Sequence, residues 1–376
     1  MAALILITFV LMSLYMMLIT KLLQGFNTEV RRQDFVIKAA GVLNHKSRFS
    51  IVAAARNEEN NIANLINDLK ALDYPKNLFE FILSDDESSD RTLEIARKEL
   101  EKSGLTYRII NGGGGKKASL AKALDVASGE LILFTDADCR IPAGWLSAFN
   151  LIFASGHKKM VTGPVFFKTG KTISSQLQAL EFASLTAAGA GAVGLGKPVM
   201  SNGANMCVRK ETAKDVSYIY RTDEPSGDDI FMMLEIKKKY GGDAFAFAAT
   251  NNAVVETAPP GSLGEFFNQR IRWTRKSRHY KDKQVITTAM IVFLLNLSLV
   301  AIFIYAVLFS PAFLLLYVVL SATKTLIDFP LMMAYLTRFK RKKLLWWMFP
   351  LQLIYPFYIV FTAIAGQFLP YEWKGR

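Results

Sequence analysis

Three close pairs of carboxylates punctuate this sequence: Asp85 and Asp86 in SDDESSD, Asp136 and Asp138 in LILFTDADC, and Asp228 and Asp229 in PSGDDIF. Hard divalent cations such as Mg2+ or Mn2+ take one or two carboxylates and complete their shell with water and phosphate oxygens. A D-x-D delivered by an apolar run is therefore suited to a metal and a diphosphate, although a polar loop with an Asx-turn accounts for three residues as well. Context favours the metal. The tract NGGGGKKASL (111–120) offers flexible backbone and two lysines near a helix start, where N–H groups and cations attract anions. Its spacing is neither G-x-G-x-x-G nor G-x-x-x-x-G-K-[ST], which excludes dinucleotide and ATP-loop readings. Asp228 and Asp229 fall at an expected helix start, where capping, worth about 1 kcal/mol, explains one of them. Two adjacent carboxylates suit a general base acting on an incoming hydroxyl better. The chain has two cysteines, far apart, and three histidines without zinc-ligand spacing, so oxygens must hold any metal.

The elements that would position these groups follow from periodicity. Apolar runs at 48–57, 79–84, 106–110 and 130–135 read as buried strands, and helical spacing separates them: 62–72, 92–100 with Asp90 suited to the N-cap, and 120–127. Such alternation predicts an α/β fold with a mainly parallel sheet covered by helices on both faces. Ligands of such sheets gather beyond the carboxyl ends of the strands. There the sequence places Arg56, Asn57 and Glu58, then Asp85 and Asp86, then Asn111 and the glycines, then Asp136 and Asp138.

Residues 2–20, 285–309 and 344–368 carry no charge, and 311–336 only Lys324 and Asp328. At 1.5 Å per residue, 19 residues span about 28 Å, close to the hydrocarbon core of a bilayer. Four membrane spans are expected, the first an uncleaved anchor. Lys324 and Asp328 lie one helical turn apart, as an internal ion pair would. The net charge of +13 concentrates beside the spans, at 21–38, 270–283 and 338–343. The positive-inside rule then sets the N-terminus outside and the block 24–282 in the cytosol. Anionic lipid accounts for these basic clusters, and nucleic acid is set aside as a partner. The aromatic and basic segment 256–280 reads as an interfacial amphipathic helix, with Phe266, Phe267, Ile271 and Trp273 at the lipid boundary.

Seven stretches in order, AAARNEENNI (53–62), SDDESSDRT (84–92), GKKASLAKAL (115–124), FTDADC (134–139), GANMCVRK (203–210), GDD (227–229) and QRIRW (269–273), resemble the family 2 glycosyltransferases with a GT-A catalytic domain. The resemblance is to the membrane-bound branch related to cellulose, hyaluronan and poly-N-acetylglucosamine synthases and ceramide glucosyltransferase. It implies that Ala54, Arg56, Glu58, Asp85, Asp86, Lys116, Asp136, Ala137 and Asp138 bind a nucleotide sugar, with UDP the usual nucleotide. Asp136 and, as the direct ligand, Asp138 would hold Mg2+ or Mn2+. Asp229 would be the base, with Asp228 beside it. Gln269, Arg272 and Trp273 would clamp the diphosphate and line the acceptor site. Glu87 stands where the family has glycine, so the turn after Asp86 is expected to differ. The glycine often found shortly after R-W is missing from TRKS.

The implied organisation is an anchor (1–23), a cytosolic linker (24–47), a GT-A domain (48–258), an interfacial segment (259–283) and three spans (284–370) in the cytoplasmic membrane. The implied reaction is inverting transfer from a nucleotide sugar to a lipid or lipid-linked glycan. A processive polysaccharide synthase is the alternative, and a silent nucleotide-sugar sensor a remote one. Neither the sugar, the acceptor nor the oligomeric state is written in the sequence.

Overall fold

The computed structural model describes residues 1–38, 45–221 and 227–369. They form two compact units: Asn27–Lys168 with Ala192–Ala258, and Met1–Phe26 with Thr169–Gly191 and Pro259–Arg376. Thr169–Gly191, inside the expected 48–258 block, thus groups with the helices.

In chain order the strands are β1 (Phe49–Ala55), β2 (Phe79–Asp85), β3 (Thr106–Asn111), β4 (Leu131–Asp136), β5 (Met160–Thr162), β6 (Val165–Phe167), β7 (Met206–Arg209), β8 (Phe245–Phe247) and β9 (Val255–Thr257). The α-helices are α1 (Ala2–Lys38), α2 (Ile62–Lys70), α3 (Thr92–Glu101), α4 (Lys116–Val126), α5 (Trp145–Ala154), α6 (Ile173–Gly194), α7 (Lys210–Asp215), α8 (Asp228–Tyr240), α9 (Leu263–Arg275), α10 (Lys283–Leu308), α11 (Ala312–Arg338) and α12 (Met348–Phe368).

Seven strands form one sheet in the order β3-β2-β1-β4-β7-β5-β8. The four strands read from the sequence run parallel at one side of it; β1, β2 and β4 are almost wholly buried, while β3, at the edge, has no buried residue. β7 is antiparallel to both its neighbours, which makes the sheet mixed. Phe49, Phe81, Leu131 and Trp145 are among the large side chains fully excluded from solvent. Register fixes the functional edge: Ala54 pairs with Ser84 on one side and Asp136 on the other, while Asp85 pairs with Ala55 and Asn111. A one-residue slip would send these side chains to the opposite face.

Two expected boundaries shift. The stretch taken as a linker from residue 24 continues as helix to Lys38, and residues 39–44 lie outside the described ones. Glu29, Gln33 and Val36 are buried there at helical spacing, and Glu29 Oε2 accepts the backbone N–H of Phe247 at 2.8 Å. Charges near Arg31 and Arg32 made a stripe read as a loop. The helix expected from about residue 120 begins at Lys116. Cations oppose the dipole at a helix N-terminus, but Lys116 is paired there with Asp136 at 2.6 Å.

The helices α1, α10, α11 and the segment Lys342–Phe368 are long and apolar enough to cross a membrane. The expected ion pair forms: Lys324 Nζ lies 3.0 Å from Asp328 Oδ2. Tyr15 completes it, donating to Asp328 Oδ1 at 2.7 Å and accepting from Lys324 at 3.1 Å. The aromatic face of α9 was expected at a lipid boundary, but Phe266 and Ile271 are buried. Phe266 meets the ring of Tyr358 on α12 at 5.5 Å, and Phe267 that of Phe361 at 5.3 Å. Amphipathicity reveals that a face is covered, not by what. The seat is close: a Cβ on Gly366 would come within 2.1 Å of Thr274 Oγ1, whose hydroxyl donates to the Thr362 carbonyl at 2.9 Å.

Candidate active site

At the carboxyl ends of β1, β2 and β4 the sheet presents a row of acids. Asp85 is 6% exposed and Asp86 2%. One carboxylate oxygen of Asp85 accepts the N–H of Ser88 at 3.2 Å, whereas its Oδ1 is buried with no hydrogen-bond partner among the described residues. An orphaned carboxylate oxygen is costly without a donor, and a nucleoside's N–H or hydroxyl groups could supply one. Asp86 Oδ1 accepts from the N–H of Gly115 at 2.8 Å, tying the glycine tract to β2. That tract needs its composition: Gly113, Gly114 and Gly115 have φ of 52°, 83° and 95°. Arg56 donates to the Asp86 carbonyl at 3.0 Å, and the Glu58 N–H donates to Thr92 Oγ1 at 2.7 Å.

The turn after Asp86 keeps a glycine-like shape without glycine. Glu87 has φ 58°, so the expected difference in the turn is met by strain instead. A non-glycine residue there costs about 1 kcal/mol, and glycine's extra unfolded freedom returns about 0.5 kcal/mol of that. Glu87→Gly should therefore stabilise the protein by about 0.5 kcal/mol, read as a small rise in thermal midpoint. Its half-exposed contact with Arg56, 3.8 Å, adds little on the other side. Asp90, expected to cap α3, accepts the Thr92 N–H at 2.9 Å and the Glu59 N–H at 3.1 Å, so one side chain serves two loops.

Asp136 ends β4, and the buried Ala137 turns the chain so that Asp138 follows on the same side. Ligand atoms of Asp136, Asp138 and Cys139 all lie within 4.8 Å of one another. That spacing suits a cation with ligands at about 2.0–2.5 Å. Cys139 was not foreseen there. Its thiol is pushed well up by burial and then by the neighbouring Asp138 and Asp136, and its soft sulfur suits Mg2+ or Mn2+ less than the two hard carboxylates do.

The second carboxylate is held by a residue that sequence reasoning missed. Thr257 donates to Asp138 Oδ2 at 3.1 Å. It gets there because Arg140 and Glu256 exchange backbone hydrogen bonds at 2.8 and 3.0 Å, while Asp68 grips the Arg140 guanidinium through both oxygens at 2.6 Å. No local pattern in ETAPP announces this, because the pairing spans more than a hundred residues.

Lys116 links the D-x-D to the last acidic pair. Burial would lower its pKa, but the carboxylates of Asp136, Asp228 and Asp229 outweigh that and hold it well above the usual lysine value. Lys117, the second lysine of the tract, is buried with its amine 5.3 Å over the Phe231 ring and serves packing. Asp228 and Asp229 open α8 after Gly227, whose φ of 92° sets the turn; residues 222–226, the first two of the quoted stretch among them, lie outside the described residues. Asp228 is buried. Asp229 accepts the N–H groups of Ile230 at 2.7 Å and Gly203 at 3.2 Å. Gly203 belongs to GANMC, which thereby acquires a role. The buried Tyr220 phenol, also unforeseen, is pushed up first by desolvation and then by Asp228 and Asp229.

The remaining candidates, Gln269, Arg272 and Trp273, lie on α9 in the helical unit, all partly exposed. Ser262 caps this helix by accepting the Glu265 N–H at 3.1 Å. Trp273 lies 6.0 Å from the Phe182 ring.

Sequence profiles of two related families match this chain: glycosyl transferase family group 2 over residues 131–361, and glycosyl transferase family 2 over residues 50–211. A beta-monoglucosyldiacylglycerol synthase of Trichormus variabilis is 38% identical over 100 residues, 26% of this chain and 21% of that protein. A poly-beta-1,6-N-acetyl-D-glucosamine synthase of Staphylococcus epidermidis is 24% identical over 230 residues, 60% of this chain and 53% of that protein. The chain thus spans from about a fifth to about half the length of these relatives. Among solved structures, a mannosyltransferase of Pyrobaculum calidifontis in complex with GDP-Man and Mn2+ superposes with a TM-score of 0.57 at 16% identity, over 94% of this chain and 99% of that one. The likeness extends the mainly parallel, helix-covered sheet to a GT-A fold. By the profile that covers more than half its length, this chain belongs to the family 2 glycosyltransferases.

Proposed function

We propose that the protein transfers a sugar from a nucleotide-sugar donor, a UDP-sugar, to a hydroxyl of a membrane-associated lipid or lipid-linked glycan, with inversion at the anomeric carbon. The observation that carries this reading is the meeting of Asp136, Lys116 and the Asp228–Asp229 pair in one electrostatic cluster at the carboxyl edge of the sheet. Asp138 and Asp136 would hold Mg2+ or Mn2+, which when bound supplies Lewis-acid neutralisation of the diphosphate. The two carboxylates fit that ion by spacing and by the hardness of their oxygens.

The chain's own residues do the rest. Asp85 offers its orphaned Oδ1 to the nucleoside, Asp86 fixes the glycine tract, and Arg56 fixes the turn behind it; Ala54 and Ala137 supply close backbone, and Glu58 anchors the first loop. Lys116, permanently protonated, meets charge developing on the leaving diphosphate. Asp229, its carboxylate oriented by two N–H groups, takes the proton of the attacking hydroxyl. Gln269, Arg272 and Trp273 bind diphosphate and acceptor. The basic clusters beside the apolar helices support a cytosolic catalytic unit, with the N-terminus on the far side.

Likeness to a glucosyldiacylglycerol synthase supports a lipid acceptor, and likeness to a poly-N-acetylglucosamine synthase supports a polymer. Membranes containing the full chain, incubated with labelled UDP-glucose, UDP-N-acetylglucosamine, UDP-galactose and GDP-mannose, should label one lipid-soluble product of defined length. A ladder of long products would favour the polymerising alternative, and no nucleotide release from any donor would refute both.

A further inference from the structure

Arg270 fills an open position of the Q-x-x-R-W stretch, yet it touches two of the residues that define it. Its guanidinium lies 4.6 Å from the Phe266 ring centre and 4.2 Å from that of Trp273, one helical turn to either side. At its edge, Nη1 donates to Gln269 Oε1 and Nη2 to Glu181 Oε2. Nε is shared by Glu181 Oε1 at 3.3 Å and the Tyr358 hydroxyl at 3.1 Å. Tyr358 also donates to Glu181 Oε1, at 3.0 Å. Both charged side chains are only 3% exposed.

Burying an ion pair is a poor way to gain stability, because apolar residues of similar size do as well or better. What this pair adds is direction. A guanidinium is flat, stacks on rings and donates in a fixed fork, which an ammonium cannot do. Arg270 on one lone pair of its oxygen sets the orientation of the Gln269 amide, the oxygen toward the guanidinium and the NH2 away from it.

We propose that Arg270, held by Glu181 and Tyr358, is the positioning residue of this segment: it turns the Gln269 amide so that its NH2 faces away from the guanidinium, and it holds the Trp273 ring in place. Gln269 therefore selects an acceptor oxygen, of a phosphate or a sugar hydroxyl. The inference rests on the transferase reading above. Sequence inspection could not reach it, since Glu181 stands 89 residues away in a helix with no polar signature.

The test uses the full chain in detergent with two variants: Arg270→Lys, which keeps the charge, and Glu181→Gln/Arg270→Gln, which leaves no lone buried charge. Nucleotide release is followed with whichever donor of the panel the wild type consumes, alongside the thermal midpoint. Both variants should fall at least about tenfold in kcat, as loss of orientation does, with donor KM moved less than about threefold. The double variant should melt within a few degrees of wild type. A double variant with wild-type kcat overturns the proposal, as does a kcat loss that merely tracks lost folded protein. A wild type that consumes no donor instead refutes the transferase reading, and this inference falls with it.

Discussion

Asp229→Asn should lower turnover by about 10²–10⁴-fold, the usual contribution of a positioned general base, while donor affinity stays within about threefold. The side chain is held for this task. Gly203 and Ile230 donate to its two oxygens from backbone that α8 and the GANMC stretch fix independently. Asparagine keeps the shape but offers one acceptor oxygen, so one N–H loses its partner at a cost of about 1 kcal/mol. That is far too little to explain a loss of three orders of magnitude, so the measurement separates base chemistry from structure. Asp85 and Asp86 at the end of β2 and Asp138 just after β4, the side chains proposed for the donor, stand on elements other than α8, so donor binding should survive. Calorimetry with UDP-sugar and nucleotide-release kinetics on the same preparation decide the matter. Retention of wild-type turnover would falsify the assignment and move the base to Asp228, which is buried beside it.

How much of this could be read in advance depended on the range of the interaction. β1, β2 and β4 were legible because a strand buried on both faces must be largely apolar, β3 through its place in the strand–helix alternation, and the edge where Asp85 and Asp136 end their strands followed from the parallel order. The ion pair of Lys324 and Asp328 was legible because four residues make one helical turn. Partners brought in from far along the chain were not. Thr257 reaches Asp138 through a backbone pairing with Arg140, and Glu181 reaches Arg270 through helix packing. Lys116 was seen as a phosphate ligand, but its coupling of Asp136 to the acids of α8 arises only when two helix starts converge. Glu87 shows the limit from the other direction: a residue type argued for a changed turn, and the surrounding hydrogen bonds imposed the unchanged one.

Asp138→Ala is expected to cost more than the loss of the base, because it strikes binding and chemistry together. Of the two D-x-D carboxylates, Asp136 is already engaged by Lys116 at 2.6 Å, whereas Asp138 is steadied by a neutral hydroxyl. Alanine at position 138 leaves Asp136, whose carboxylate is shared with an ammonium group, to hold a cation. Mn2+-dependent binding of UDP should disappear, and transfer should fall by at least about 10³-fold, the equivalent of about 4 kcal/mol of lost transition-state stabilisation. The fold should persist, since Asp138 is only partly buried and Thr257 can turn its hydroxyl to water. The measurement is titration of UDP into the purified protein with Mn2+ and then with a chelator. Wild type should lose most of its affinity on chelation, and the variant should show the same weak binding in both conditions. Survival of a chelator-sensitive UDP signal in Asp138→Ala would place the metal on other residues and dissolve the link between the acidic row and the diphosphate.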